Sequence, residues 1–253
     1  MRLRFLTRPV ASLVYVVVIA APAYAVDGVV LINQAVALNG NVTPGDAPGF
    51  PVTISVPGSY RLTSNLTVPD VNTTAILVSA NDVTIDLNGF AIIGPNLCAG
   101  NPASCSSSGA GVGIDAFGTE NIKVFNGTVR GMGSHGVALF ENSSVERVAA
   151  MGNGGTGISI ASIGSVTQSR GDSNGGSGIF AESVSSSEAA RNHLDGIVVT
   201  NGGSAVGNTT SNNGQRGIFA ICPSLVLSNS AAFNSTGIET FGTCVRANND
   251  PAP

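Results

Sequence analysis

Tryptophan is absent from this 253-residue chain, and both charge and aromatic rings are scarce. Charged residues make up 10% of the sequence and aromatic residues 5%, and the only histidines are His135 and His193. No Cys-x-x-Cys pair occurs, so the sequence predicts no metal site of the zinc type and no cofactor. The apolar residues are abundant and regularly spaced, which favours a packed, repetitive β structure over disorder.

Long apolar runs are also missing, apart from one near the start. Residues 1–25 combine a basic beginning, an apolar run from Val10 to Ala21 and a small-x-small cleavage box at Ala23-Tyr24-Ala25. This order is typical of a secretory signal peptide. The alternative, a membrane anchor, is disfavoured because a span needs roughly 20 apolar residues.

Cleavage near Val26 would leave a secreted chain, extracellular or periplasmic, with no transmembrane span. Three arginines and no acidic residues lie in the first 25 positions, so the remaining chain carries a net charge of about −7. This balance argues against nucleic acid and anionic membrane surfaces as partners.

A short phrase, glycine followed by a branched apolar residue, returns through the second half of the chain. Its copies are 25, 21, 21, 18, 21 and 20 residues apart. A nearly fixed period of this length predicts a solenoid, in which each repeat is one coil that must stack on its neighbours. The copies begin at Gly111, Gly136, Gly157, Gly178, Gly196, Gly217 and Gly237.

Asparagine occupies one matching position in five consecutive repeats. Because asparagine tolerates left-handed backbone conformations and its amides can hydrogen-bond between coils, we expect an asparagine ladder at a tight corner rather than a ligand site. The ladder residues are Asn153, Asn174, Asn192, Asn213 and Asn234.

The remaining segments follow from this repeat. We expect residues 26–57 to form an N-terminal cap, 58–245 the solenoid and 246–253 a flexible tail, with residues 94–109 as a loop. Among the three possible disulfide pairings we favour Cys98–Cys105, which brackets that loop, and Cys222–Cys244, whose separation is close to one coil. No cap for the last coil is evident, which leaves self-association open, end to end or through a face.

The glycine phrase, the asparagine ladder and Val83-Thr84-Ile85-Asp86-Leu87-Asn88-Gly89 together resemble the right-handed parallel β-helix repeat family. This is the fold shared by pectin- and pectate-lyase-like proteins, and the resemblance covers roughly residues 58 to 245. It implies an all-β, right-handed parallel β-helix of about eight or nine coils. It specifies function poorly, because this fold carries lyases, hydrolases, adhesins and binding modules.

Strand alternation assigns an inside and an outside to each coil. Phe140, Phe180, Phe219 and Phe241 are predicted to point outward on one sheet, where aromatic rings could bind a polysaccharide or a cell-surface glycan. The alternative is that a segment covers them, or that the register differs by one residue and buries them.

Catalytic candidates are single residues. His135 precedes a repeat glycine, Glu182 stands on the outer face, and Asp195 and Arg216 share one column on adjacent coils. We interpret His135 as a turn residue and the Asp195–Arg216 pair as an exposed salt bridge, with catalysis or uronate binding as the alternatives. A hydrolase would need paired carboxylates, and a lyase would need acidic ligands for Ca²⁺.

The sequence therefore predicts a secreted glycan-binding or surface-interaction module without an evident active site. Two alternatives stay open. One is a polysaccharide lyase or glycoside hydrolase acting on the outer face, with Ca²⁺ only in the lyase case, and the other is a purely structural surface protein.

Overall fold

The structure, a computed structural model, describes residues 28–106 and 108–250. The predicted signal peptide lies outside the described residues. The chain forms a parallel β-solenoid of about nine turns, as predicted. Each full coil contributes one strand to each of three parallel faces, here called sheets 1, 2 and 3.

Sheet 1 contains the residues that follow each repeated glycine. Equivalent residues of successive coils pair in register, for example Ile158 with Ile179 and Ile179 with Ile197. Its strands are β2 (Val52–Ile54), β5 (Ile76–Val78), β10 (Ile114–Ala116), β12 (Val137–Leu139), β14 (Ile158–Ile160), the first half of β17 (Ile179–Ser185), the first half of β19 (Ile197–Val206), β21 (Arg216–Ile221) and β24 (Thr236–Phe241).

Sheet 2 follows sheet 1 in each coil and begins one strand earlier in the chain. Its strands are β1 (Val29–Ile32), β3 (Gly58–Leu62), β6 (Val83–Asp86), the first half of β11 (Ile122–Arg130), the first half of β13 (Ser143–Met151), β15 (Gly164–Thr167), the second halves of β17 and β19, β22 (Leu225–Leu227) and β25 (Val245–Ala247).

Sheet 3 completes the coil. Its strands are β4 (Leu66–Thr67), β7 (Ala91–Ile93), the second halves of β11 and β13, β16 (Arg170–Asp172), β18 (Glu188–Ala190), β20 (Thr209–Ser211) and β23 (Ser230–Ala232). The inward side chains of the three sheets meet in one apolar core that runs along the solenoid.

The asparagine ladder lies at the corner between sheets 3 and 1. Asn174 is fully buried, and its backbone N–H and Nδ2 both donate to Oδ1 of Asn192, each at 3.0 Å. The repeated glycine is needed at this corner because a Cβ on Gly157 would lie 2.6 Å from Asn174 Nδ2. The ladder asparagines do not themselves adopt the expected left-handed conformation. The residue before each ladder asparagine adopts this conformation instead. Ser173, for example, has a φ of 55°.

A second ladder, not predicted, lies at the corner between sheets 2 and 3. Here serine forms the earlier rungs and asparagine the later ones. Ser187 N–H donates to Asn208 Oδ1 at 3.0 Å, and Asn208 Nδ2 donates to Asn229 Oδ1 at 3.0 Å. The last rung is Asn249, which accepts from Asn229. The first residues of the predicted 246–253 tail therefore hydrogen-bond to the solenoid, and residues 251–253 lie outside the described part.

The predicted 26–57 cap supplies both a first coil and a cover. Residues 28–57 contain β1 and β2 and the helix α1 (Gln34–Asn39), whose Ala37 is buried in the core. In the first strands of sheets 1 and 3, backbone N–H groups that have no neighbouring strand in the described part of the chain donate to side chains of this segment. Asp46 Oδ1 accepts from Thr53 N–H at 2.7 Å in β2, and Gln34 Oε1 accepts from Thr67 N–H at 2.7 Å in β4.

At the opposite end, the last described coil carries an exposed charged residue, Arg246. In the last coil Arg246 pairs with the buried Val226 and so takes an inward-facing position. Its Nη2 lies 3.5 Å from the carbonyl oxygen of Ile238. A charged residue at an inward edge position is one way in which proteins block edge-to-edge pairing.

Both predicted disulfides, Cys98–Cys105 and Cys222–Cys244, are present. The first closes a two-stranded antiparallel hairpin, β8 (Cys98–Gly100) and β9 (Ala103–Cys105), within the predicted loop. This hairpin lies along the asparagine corner, where Ala103 N–H donates to Arg191 O at 2.8 Å and Ala103 O lies 3.1 Å from His193 Nδ1.

Candidate functional site

The predicted inside and outside of sheet 1 are confirmed. The residues expected to point inward are all buried, and those between them are exposed or partly exposed, except Val198. The buried set comprises Val137, Leu139, Ile158, Ile160, Ile179, Ile197, Val199 and Ile218.

The outer face of sheet 1 carries two rows of side chains, one residue per coil. We call these rows A and B, and the strand register defines both. In each coil the row B residue follows the row A residue by two positions in the chain. Row A consists of Asp115, Ala138, Ser159, Phe180, Val198, Phe219 and Glu239, and row B of Phe117, Phe140, Ala161, Glu182, Thr200, Ile221 and Phe241.

Phenylalanines are concentrated in the last four coils of this face. Phe180 and Phe219 flank Val198 in row A, and Val198 is only 8% exposed even though it points outward. Beside them in row B, Phe241 is 71% exposed and pairs with Ile221. The rings of Phe180, Phe219 and Phe241 thus lie outside the core, as predicted, and form the larger apolar part of the face.

A second aromatic group lies nearer the N-terminus. The rings of Phe117 and Phe140 have centroids 5.3 Å apart and are tilted by 55°. Asp115 Oδ1 accepts from Phe117 N–H at 3.2 Å. Phe50, Leu77 and Asp115 also line a hollow of about 400 Å³ on this side of the face.

Sequence reasoning missed Phe50 and Phe117. A signal for Phe117 was present, because Ile114-Asp115-Ala116-Phe117 extends the same alternation one repeat earlier. Phe50 lies in the cap segment just before β2, and no repeat position predicts it.

Arg216 joins the aromatic row to a buried carboxylate. Its Nε and Nη2 donate to Asp195 Oδ1 and Oδ2 at 2.7 and 2.8 Å, and its guanidinium lies 3.7 Å from the ring centroid of Phe219. Hydrogen bonding to Asp195, with a contribution from the nearby Glu239 carboxylate, raises the pKa of Arg216.

The predicted exposed salt bridge is therefore wrong in one respect. The Asp195 side chain is only 7% exposed, because it also accepts the backbone N–H of Arg216 at 3.0 Å and so sits inside the turn. A buried carboxylate of this kind fixes the orientation of the arginine, and through it the side of Phe219 that faces solvent.

The other two catalytic candidates lie apart from this pair. His135 Nδ1 accepts from Thr156 N–H at 3.1 Å, which is the bond expected of a turn residue. Glu182 stands in row B, where the pairing register shifts between Ala181 and Ser183. Within residues 28–106 and 108–250, no group of three or more His, Cys, Asp or Glu side chains could hold a metal ion.

The fold and this face define a parallel β-solenoid with an aromatic outer surface. No family model matches the chain. No curated protein matches it either. Among solved structures it is similar to the chain titled ORF18 of Geobacillus virus E2, with 10% sequence identity and a TM-score of 0.46 over 77% of this chain. The match spans about half, 51%, of the length of that viral chain.

No helix in the described part of the chain has the length and apolar character that crossing a membrane requires.

Proposed function

We propose that this protein is a secreted β-solenoid of the pectate-lyase-like kind that binds glycan chains along the outer face of sheet 1. The observation that carries the proposal is the placement of Phe180, Phe219 and Phe241 outside the core on one rigid parallel sheet. Contiguous apolar surface left open on a folded protein is typical of a binding site.

The chemistry of the face suits sugars. A phenyl ring offers a flat apolar surface to the C–H groups of a pyranose, and neighbouring polar groups can bind its hydroxyls. Here Ser159, Glu182 and Thr200 lie in the two rows between the aromatic groups. A glycan lying along the solenoid axis would contact apolar and polar side chains in turn.

Binding is favoured over hydrolysis by the spacing of the acids. Asp115, Glu182 and Glu239 stand three coils apart along the two rows. At roughly 4.8 Å per strand this separation is about 14 Å, whereas the carboxylates of glycosidases lie about 5–9.5 Å apart. The face therefore offers single carboxylates to a ligand.

Secretion is supported by the two disulfides, which persist in non-reducing compartments. The signal-like composition of residues 1–25 supports the same proposal.

The test is to measure retention of the purified protein in gels containing acidic or neutral polysaccharides, while recording unsaturated or reducing products. We expect retention without turnover. Phe180→Ala and Phe219→Ala should each weaken retention. Phe233→Ala is the matched control, because Phe233 is 77% exposed but lies in the turn before Asn234 and belongs to neither row A nor row B.

Product formation would replace the proposal with the enzyme alternative. Equal retention of all three variants, or no retention on any polysaccharide, would overturn the assignment of this face as a glycan site.

A further inference from the structure

Sheet 3 carries an ion cluster around one nearly buried carboxylate. The Asp172 side chain is 7% exposed, and its Oδ2 accepts from Arg170 Nη2 at 2.9 Å and from Arg191 Nη2 at 2.5 Å. Its other oxygen, Oδ1, accepts from the Ser173 hydroxyl at 3.1 Å. Two guanidinium groups thus neutralise one carboxylate, and a positive charge remains.

A further acid, Glu188, offsets this excess, since two arginines and two acids leave the cluster without net charge. Glu188 Oε2 lies 3.7 Å from Arg170 Nε, beyond hydrogen-bond distance. Arg170 Nε is shielded from solvent and has no hydrogen-bond partner in the part of the chain that the structure describes. Arg191 makes its polar contacts with Asp172 and Ser173.

Arg130 adds an unopposed cation to the same face. It occupies the same row as Asp172, because Arg130 pairs with Met151 and Met151 pairs with Asp172. Two strand spacings place the two backbones roughly 10 Å apart. Arg130 is exposed, and within the described residues its guanidinium makes no hydrogen bond or ion pair.

A cleft of about 300 Å³ lies between this row and the disulfide-closed hairpin. Its lining includes Leu97, Cys98, Arg130, Met151 and Asp172. One wall is the hairpin, which is fixed to the asparagine corner, and the floor is a rigid sheet. Asp172, a lining acid, is already paired with Arg170 and Arg191, so Arg130 is the charged lining residue that has no ion-pair partner among the described residues.

We propose that this cleft is a binding site for a tetrahedral oxyanion, a sulfate or phosphate group, with Arg130 as the residue that contacts it. Arginine presents several N–H donors in a planar fork that matches such groups. Arg170 and Arg191 act as positioning residues, because they cancel the repulsion that Asp172 would otherwise exert. The site lies on a different sheet from the aromatic rows, so the oxyanion proposal can be tested independently of the glycan proposal.

The experiment compares melting temperatures in sodium sulfate, sodium phosphate and sodium chloride at equal ionic strength. A ligand that binds only the folded state raises its stability. Sulfate also stabilises proteins in general, so the informative quantity is the difference between variants. We expect the gain over chloride to be reduced in Arg130→Gln and partly retained in Arg130→Lys.

Arg147→Gln is the matched control. It removes an arginine at the opposite corner, where the next coil already has Gln168 at the same position with positive φ. This variant should keep the full oxyanion gain. An equal gain in the unmodified protein, Arg130→Gln and Arg147→Gln would show a general salt effect and overturn the proposal.

A second measurement distinguishes a free anion from one carried on a polymer. Retention on dextran sulfate but not on dextran, lost in Arg130→Gln, would assign the site to an anionic ester group of a larger molecule. A melting-temperature gain dependent on Arg130 without such retention would assign it to the free ion. If neither effect is observed, the cleft has no oxyanion ligand and the proposal is refuted.

Discussion

Asn174 Nδ2 donates to Asn192 Oδ1 at 3.0 Å, and the same oxygen accepts the backbone N–H of Asn174. Asn192 in turn donates from its own Nδ2 to Asn213 at 2.9 Å. Each rung of the ladder therefore satisfies the backbone and the side chain of the rung before it, in a corner from which water is excluded.

Removing one rung should cost more than one hydrogen bond. In Asn192→Ala, two buried donors of Asn174 lose their acceptor, and the carbonyl of Gly171 loses its donor. We expect the free energy of unfolding to fall by about 2–4 kcal/mol. Chemical denaturation measures this loss, with the exposed Gln215→Ala near the same corner as the control, for which we expect almost no change.

The inward stack of sheet 1 makes a separate prediction. Ile160 is fully buried and Ser159, its neighbour in β14, is partly exposed on the outer face. Ile160→Ala should lower the free energy of unfolding by about 2–5 kcal/mol, because it removes buried methyl groups and leaves a cavity. Ser159→Ala should leave it nearly unchanged, and equal losses in the two variants would contradict the inside and outside described for this strand.

These two predictions rest on features that the sequence made visible. Identical residues recur at one position of each coil, so Gly157 and Asn174 reveal both the period and the corner. The in-register stacking of parallel coils then places Ile160 inside without any further information. The disulfide pairings followed as well, because one pair brackets a loop and the other is separated by about one coil.

Features that depend on mixed or long-range contacts could not be predicted in this way. The second ladder changes from serine to asparagine between Ser187 and Asn208, so no single residue type runs through its whole column. The hairpin reaches Arg191, about 90 residues further along the chain, and nothing in the repeat fixes its direction. The cleft on sheet 3 needs both the hairpin and the strand register, so Arg130 could not be recognised as a candidate from the sequence.

Tyr60, at the N-terminal end of the core, predicts that the stability of the fold decreases at alkaline pH. Burial raises the pKa of Tyr60, whose hydroxyl donates to Val56 O at 2.7 Å. Since the ordinary tyrosine pKa is near 10, the unfolded chain loses this proton first. The contribution to stability is complete below about pH 10 and is lost as the pH rises through the raised value in the folded state.

This titration can be observed without interference in a chain that begins at residue 26, because the other two tyrosines, Tyr15 and Tyr24, precede it. Tyrosinate absorbance should appear above the pH at which the denatured chain titrates. Tyr60→Phe should remove that absorbance and flatten the fall in stability above pH 10. Titration of the folded protein at the ordinary value would show that Tyr60 is accessible to solvent.

Arg246, at the C-terminal end of the described solenoid, predicts that removing its charge increases self-association. Arg246 occupies an inward position of the last coil, next to the exposed Val245 and above the apolar stack that ends at Val226. Replacing this charge with an apolar side chain would leave an open strand edge with an apolar interior beside it, the combination that templates edge-to-edge pairing. We therefore expect Arg246→Val to form dimers or larger species at concentrations where the unmodified protein does not.

Sedimentation velocity over a range of protein concentrations measures this effect. Lys123→Val is the control, because it makes a similar charge-to-apolar change on the outer face of sheet 2, in a strand that is paired on both sides. If Arg246→Val sediments as the unmodified protein does, the side chain is not what keeps the last coil from pairing. If Lys123→Val associates equally, loss of surface charge, and not the inward position of Arg246, accounts for the association.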